Sequence, residues 1–248
     1  MIGDRRKALD VTAGRGGVRG IATFVLGYAL VDLLPIVLPE QPRVVDLPFR
    51  DAADAALIFL LVFLYVELAA HARLLHKRWA RAVFALALLL MVQGHAIHLA
   101  ANAIAAASDA GSRGWSLIYF LDEHWGHTEL HFAFLLLAAL FIGRSDPAGA
   151  SEPLSRTENF GLWVLSAAYG VLLAGGAIEG QTVPLMLPGA VLLSVWGLWP
   201  FLAWRDNRTG RDTLAAHRRF FAASLASTAI AVTVYGLVMH GFPQFSGG

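Results

Sequence analysis

The sequence predicts an all-α integral membrane protein with seven transmembrane helices joined by short loops. Three observations predict it. Of its 248 residues, 57% are hydrophobic and only 15% are charged, where a soluble domain carries about 25% charge. Mean hydropathy is +0.59, and the apolar residues gather into seven runs, each able to cross an apolar core of about 30 Å. Arginine and lysine alternate between rich and poor connections, the pattern expected around spans in a bilayer.

The chain opens with a polar, basic stretch over residues 1–19 that carries Arg5, Arg6, Lys7, Arg15 and Arg19 among glycines. The first apolar run covers 20–38 and stops at Pro39. It is longer than a signal-peptide core and lacks a small-residue cleavage pattern, so it reads as a retained span. Six further runs follow at 53–75, 82–107, 116–142, 160–179, 184–204 and 219–240. Backbone groups in lipid must be satisfied within their own segment, which makes each run a helix. The expected organisation is a basic N-terminal segment 1–19, a seven-helix domain 20–240 and a short tail 241–248.

Orientation follows from the basic residues. Arg5, Arg6, Lys7, Arg15, Arg19, Arg73, Lys77, Arg78, Arg81, Arg144, Arg156, Arg205, Arg208, Arg211, Arg218 and Arg219 fall on one side, and only Arg43, Arg50 and Arg113 on the other. This places the N-terminus in the cytoplasm and the C-terminus outside. In a bacterium the host would be the cytoplasmic membrane.

Composition also excludes chemistry. The chain has no cysteine, so disulfides, thiolate nucleophiles, iron–sulfur clusters and cysteine zinc sites are out. Its lysines, Lys7 and Lys77, lie outside the apolar runs, which leaves no buried Schiff-base lysine. A net charge of +1, without a long basic face, argues against nucleic acid as a partner.

Two of the runs carry most of the histidines. His95, His98 and Asn102 stand at i, i+3 and i+7 in the third run, and His124, His127 and His131 repeat that spacing in the fourth. On a helix those offsets lie within about 60° of azimuth, so each trio forms a stripe. The third helix runs outward and the fourth inward. Counted from the outer ends, Asn102 and His124 lie about 8–10 Å deep, His98 and His127 near 15 Å, and His95 and His131 about 18–21 Å. The stripes are therefore expected to face each other level for level. Asp32, Glu179, Tyr235 and His240 fall toward the same outer half, while Glu67, His71, His76 and His217 lie at the inner border.

Ionisable groups inside a span are costly and mark function by default. Neutral imidazole with carboxylate suits a transition metal, zinc or iron first and copper next. The expected ligands are His95, His98, His127 and His131, joined at the mouth by His240. Glu123, His124 and Glu179 are the expected acid–base groups. Asn102 and Asp32 are candidate partners for the ligating imidazoles. Asp122 and Glu129, seven apart, are expected to point to the opposite face of the fourth helix. Trp125 is expected to wall the cavity, and the other tryptophans to mark helix ends as an aromatic belt. Gly175, Gly176 and Gly180 allow close backbone approach near Glu179, and Pro184 and Pro188 place a kink early in the sixth helix.

In outline this resembles the seven-helix zinc hydrolases of the alkaline ceramidase and adiponectin-receptor type, which also hold a histidine site among membrane helices. The resemblance is one of architecture. That family's last helix supplies an HxxxH pair where this chain has only His240, and its site lies toward the cytoplasm. No residue is carried over. The HxxHH boxes of membrane desaturases and hydroxylases do not occur here.

The expected function is a metal-dependent hydrolase or oxidase/hydroxylase acting on a lipid or other small amphiphile from the outer leaflet. Two alternatives stand beside it. One is a redox protein carrying haem b between the third and fourth helices and working with quinone. The other is a proton- or metal-coupled transporter, which a polar path through Glu67 and His71 would have to continue.

Overall fold

The computed structural model describes residues 2–39, 41–44, 47–106, 114–143, 154–203 and 216–245. Arg113, Arg144, Trp204, Arg205, Arg208 and Arg211 lie outside the described residues, as does the end of the expected tail. The chain is mostly helical, and seven helices are long and apolar enough to cross a membrane. They suggest a multi-pass membrane protein.

In order, the helices are α1 (Ile2–Val37), α2 (Phe49–His71), α3 (Arg78–Ala106), a composite fourth span, α6 (Arg156–Glu179), α7 (Val183–Ala203) and α8 (Ala216–Val238). The fourth span is built from α4 (Trp115–Tyr119), a π-helical segment (Phe120–Gly126) and α5 (His127–Gly143). A two-residue hairpin, β1 (Arg43–Val44) against β2 (Leu47–Pro48), links α1 to α2. Most helices outrun the apolar runs at their N-terminal ends, because polar residues cap a helix without ending it. Ser155 and Glu158 form a reciprocal capping box at the start of α6: the Glu158 amide donates to Ser155 Oγ at 3.2 Å, and the Ser155 amide to Glu158 Oε2 at 2.9 Å.

α3 lies along α5 and the π segment, α6 and α7 lie on α8, and α1 bridges α2 and α6. Where spans meet, small residues let the backbones close in. Thr228 Oγ1 of α8 donates to the Gly170 carbonyl of α6 at 3.0 Å. A Cβ on Gly94 of α3 would stand 2.5 Å from the Gly126 carbonyl and 2.7 Å from the Leu130 amide. The outer surface is apolar, with Leu26, Ile36, Phe59, Leu89, Leu192 and Leu237 all exposed.

Within the bundle an aromatic core joins α1, α2, α6 and α8. Phe24, Tyr65, Tyr169, Phe220 and Phe221 are all buried. At its centre the hydroxyls of Tyr65 and Tyr169 lie 2.7 Å apart. His217 is read from the sequence as a loop residue, but it begins α8 and is buried, its ring stacked 6.2 Å from Phe141. Arg219 is buried beside it, with Nη1 donating to Asn159 Oδ1 at 3.2 Å. Apolar cover from α1 and α5 keeps this end of α8 inside the bundle.

Candidate functional site

Above the aromatic core lies a cavity of about 1100 Å³. It forms at the end of the bundle where α1, α3, α6 and α8 finish and where α2 and the fourth span begin. Tyr28 and Phe134 lie on the side nearest the aromatic core. Histidines and carboxylates line one region, and Leu33, Ile36, Val171 and Leu172 another.

The site begins with the crossing of α3 over the fourth span. Gly94 and Gly126 each precede a cavity histidine, and without side chains they bring the two backbones into contact. Consequently the rings of His98 and His127 sit only 4.4 Å apart. His95 lies 6.3 Å from His98, and His131 lies 6.4 Å from His127, so four imidazoles form a file along the cavity.

The π segment then decides which acidic residue joins them. Its wider turn is closed by the His127 amide donating to the Asp122 carbonyl, five residues back. Such a turn acts like one residue inserted into an α-helix, rotating everything before it by about 100°. On a continuous α-helix Asp122 would sit about 140° from His127, whereas after this rotation it sits about 40° away. His98 Nδ1 donates to Asp122 Oδ1 at 2.5 Å. His98, Asp122 and His127 each offer a ligand atom within 4.8 Å of the other two.

This corrects the expectation that Asp122 faces away. Glu129 does so, accepting from Gln93 Nε2 at 3.4 Å outside the cavity lining. The same rotation turns His124 outward. It is exposed, with its ring against Tyr119 and Phe120, and it does not line the cavity. Trp125 is likewise exposed and outside the lining. Of the three expected levels, His98 with His127 is present. Asn102 Nδ2 instead donates to His98 Nε2 at 3.2 Å. His95 and His131 bond elsewhere.

His95 turns to Asp54, a residue the sequence reading missed. Its Nε2 lies 3.3 Å from the Asp54 carbonyl and 3.5 Å from Asp54 Oδ1. Asp54 stands in the Asp51-Ala-Ala-Asp54 start of α2, where an acidic residue reads as ordinary first-turn polarity. His131 Nδ1 is 2.9 Å from both the His127 carbonyl and Thr182 Oγ1. The carbonyl can only accept, so Nδ1 carries the proton and Nε2 keeps its lone pair. His127 Nδ1 is buried without a hydrogen-bond partner, and Glu123 Oε2 stands 3.9 Å from it.

The mouth is crossed by residues after α8. Gln244 Nε2 donates to Glu123 Oε2 at 3.0 Å and to the Glu179 carbonyl at 2.7 Å, and the Phe245 amide donates to Glu179 Oε2 at 2.8 Å. Glu123 and Glu179 therefore line the cavity as expected residues of the mouth, while His240 is exposed and outside the lining. His240 lies beyond the end of α8, which stops at Val238, with φ of 53°, so the helical register that aimed it inward in the sequence reading does not extend to it.

Comparison of the chain with protein-family models, curated proteins and solved structures finds no match. The geometry alone therefore carries the chemistry. Two imidazoles and a carboxylate within 4.8 Å form the nitrogen–oxygen donor set that borderline divalent ions take. Glycines keep the rings in place. A Cβ on Gly176 would meet His131 Nε2 at 3.3 Å, and one on Gly180 would meet His127 Cγ at 2.7 Å.

Proposed function

We propose that this chain is a multi-pass membrane metalloenzyme, a hydrolase or oxidase/hydroxylase that acts on a lipid-like amphiphile. The observation that carries this reading is the convergence of His98, Asp122 and His127 inside a cavity whose other wall is apolar. Zinc or iron fits that donor set best, with copper next. A metal held there would lower the pKa of a bound water or polarise a substrate oxygen. The chain's own groups supply the rest. Glu123, 3.9 Å from His127, stands where a general base is needed. A metal there would take the place of the His98 Nδ1 proton now donated to Asp122, while Asn102 and Thr182 fix the orientation of His98 and His131.

The distribution of arginine and lysine supports a cytoplasmic N-terminus, with the cavity then in the outer half of the bundle. Because the chain has no cysteine, single substitutions give a clean test. Gln41→Cys should label with an impermeant thiol reagent in intact cells, and His76→Cys only after lysis; the reverse pattern would overturn the orientation.

Elemental analysis and an optical spectrum of detergent-purified protein test the metal. We expect bound zinc or iron without a Soret band, and loss of that metal in His98→Ala and His127→Ala. Metal retained at the wild-type level in both variants would end the proposal.

A further inference from the structure

Some polar groups of the cavity make no hydrogen bond among the described residues. His127 Nδ1 is one and belongs to the proposed metal centre; the carboxylate of Asp32 is another. Of the carboxylates lining the cavity, Asp54 faces His95, Asp122 accepts from His98, and Glu123 and Glu179 accept from Gln244 and Phe245. Asp32 makes no hydrogen bond or ion pair among the described residues. Among the described residues, no lysine or arginine lines the cavity.

Asp32 also stands at a boundary. Leu33 and Ile36 follow it within about one turn of α1. Both line the cavity and are 47% and 76% exposed. Val171 of α6 also lines the cavity and is 57% exposed. The apolar flank beside Asp32 is therefore not closed over.

From this juxtaposition we propose that the cavity takes an amphiphile whose head carries a protonated amine. Its chain lies along Leu33, Ile36 and Val171, and its ammonium donates to the Asp32 carboxylate. At the Asp32 end, away from the proposed metal centre, an anionic head would meet a like charge and no lysine or arginine among the described lining residues. An uncharged head would leave Asp32 as an unpaired carboxylate in an apolar setting, which is costly. An ammonium relieves both conditions at once. The inference rests on the cavity being a substrate chamber, but not on the metal.

The test uses full-length protein in a neutral maltoside detergent, stripped of metal with a chelator. Dodecylamine, dodecanol and dodecanoate serve as probes, sharing one chain length and differing in head charge. Titration calorimetry near neutral pH should show the amine binding roughly tenfold or more tighter than the alcohol, the scale of a hydrogen bond to a charged group. Dodecanoate should not bind. Asp32→Asn should bring the amine down to the alcohol's affinity while leaving the alcohol unchanged, and Asp32→Glu should keep the preference. Comparing variants under one detergent cancels partitioning of the probes into micelles. Equal binding of amine and alcohol by the wild type, or a preference that survives in Asp32→Asn, would overturn the inference while the chamber reading stands. No binding of any probe would overturn both.

Discussion

Replacing Gly180 with alanine should damage the histidine site from a position that contributes no side chain to it. Gly180 ends α6 with φ of −82° and ψ of 12°, a conformation alanine adopts freely, so backbone strain is not the issue. The added Cβ is. It would stand 2.7 Å from Cγ and Cδ2 of the His127 ring and 3.0 Å from its Cβ, where ordinary contact begins at 3.4 Å. Either the ring or the end of α6 must move by about 0.7 Å, the difference between those contact distances. Because His127 Cβ is also crowded, turning the ring alone does not relieve the contact. Overpacking of this kind costs about 1–3 kcal/mol. Disturbing the support of a metal-ligating histidine typically lowers metal affinity about 10–100-fold. Gly161→Ala in the same helix is the control, since nothing lies within 4 Å of its Cβ. Competition against a chromophoric chelator reads metal affinity, and circular dichroism verifies the fold. Gly180→Ala binding metal as tightly as Gly161→Ala would refute the reasoning.

Deleting the exposed Trp125 should convert the π turn to regular α-helix and leave Asp122 four residues before His127, about 40° from it as in the π turn; metal binding and helix content should both persist, and loss of metal from a folded deletion variant would refute the register argument. Tyr65→Phe should leave the Tyr169 hydroxyl buried without its partner, at a cost of about 1–3 kcal/mol, and Tyr65→Phe with Tyr169→Phe should recover much of it; an additive loss of thermal stability in the double variant would deny the pairing. Gln244→Ala should remove both of its bonds, to Glu123 and to the Glu179 carbonyl, lowering stability by about 1 kcal/mol each; a melting temperature identical to the wild type would show that the bridge contributes nothing.

The spans were legible because a bilayer imposes a length and an apolar composition on each crossing, and both can be counted. The meeting of His98 with His127 was legible too, since antiparallel helices in a shared slab bring residues of equal depth together. What escaped was lateral. Asp54 belongs to α2, and no depth argument says which way the start of a helix turns. His95 has Asp54 for a neighbour because α2 lies beside α3, a fact of packing order. The glycines before His95 and His127 did carry a signal. Each sits mid-span, one residue before a cavity histidine, the mark of a close backbone crossing.

The π segment explains why the face of the fourth helix was misread while its depth was not. One extra residue in a turn changes depth by about 1.5 Å but azimuth by about 100°. Depth arguments therefore survive it and face arguments do not. Glu123 stays on the cavity side under either winding, about 40° from His127 before the rotation and about 60° after. Asp122 and His124 exchange roles. The sequence Phe120-Leu-Asp-Glu-His-Trp-Gly126 has no proline to announce the irregularity; its cause is three-dimensional. A regular α-turn would carry Asp122 off His98, put Glu123 where Asp122 now stands and put His124 where Glu123 now stands. The π turn instead sets Asp122 against His98, a charge-assisted pairing stronger than a neutral one, and keeps Glu123 in the lining as a second carboxylate in place of His124. That exchange is what brings Asp122, rather than Glu123, within ligand distance of His98 and His127.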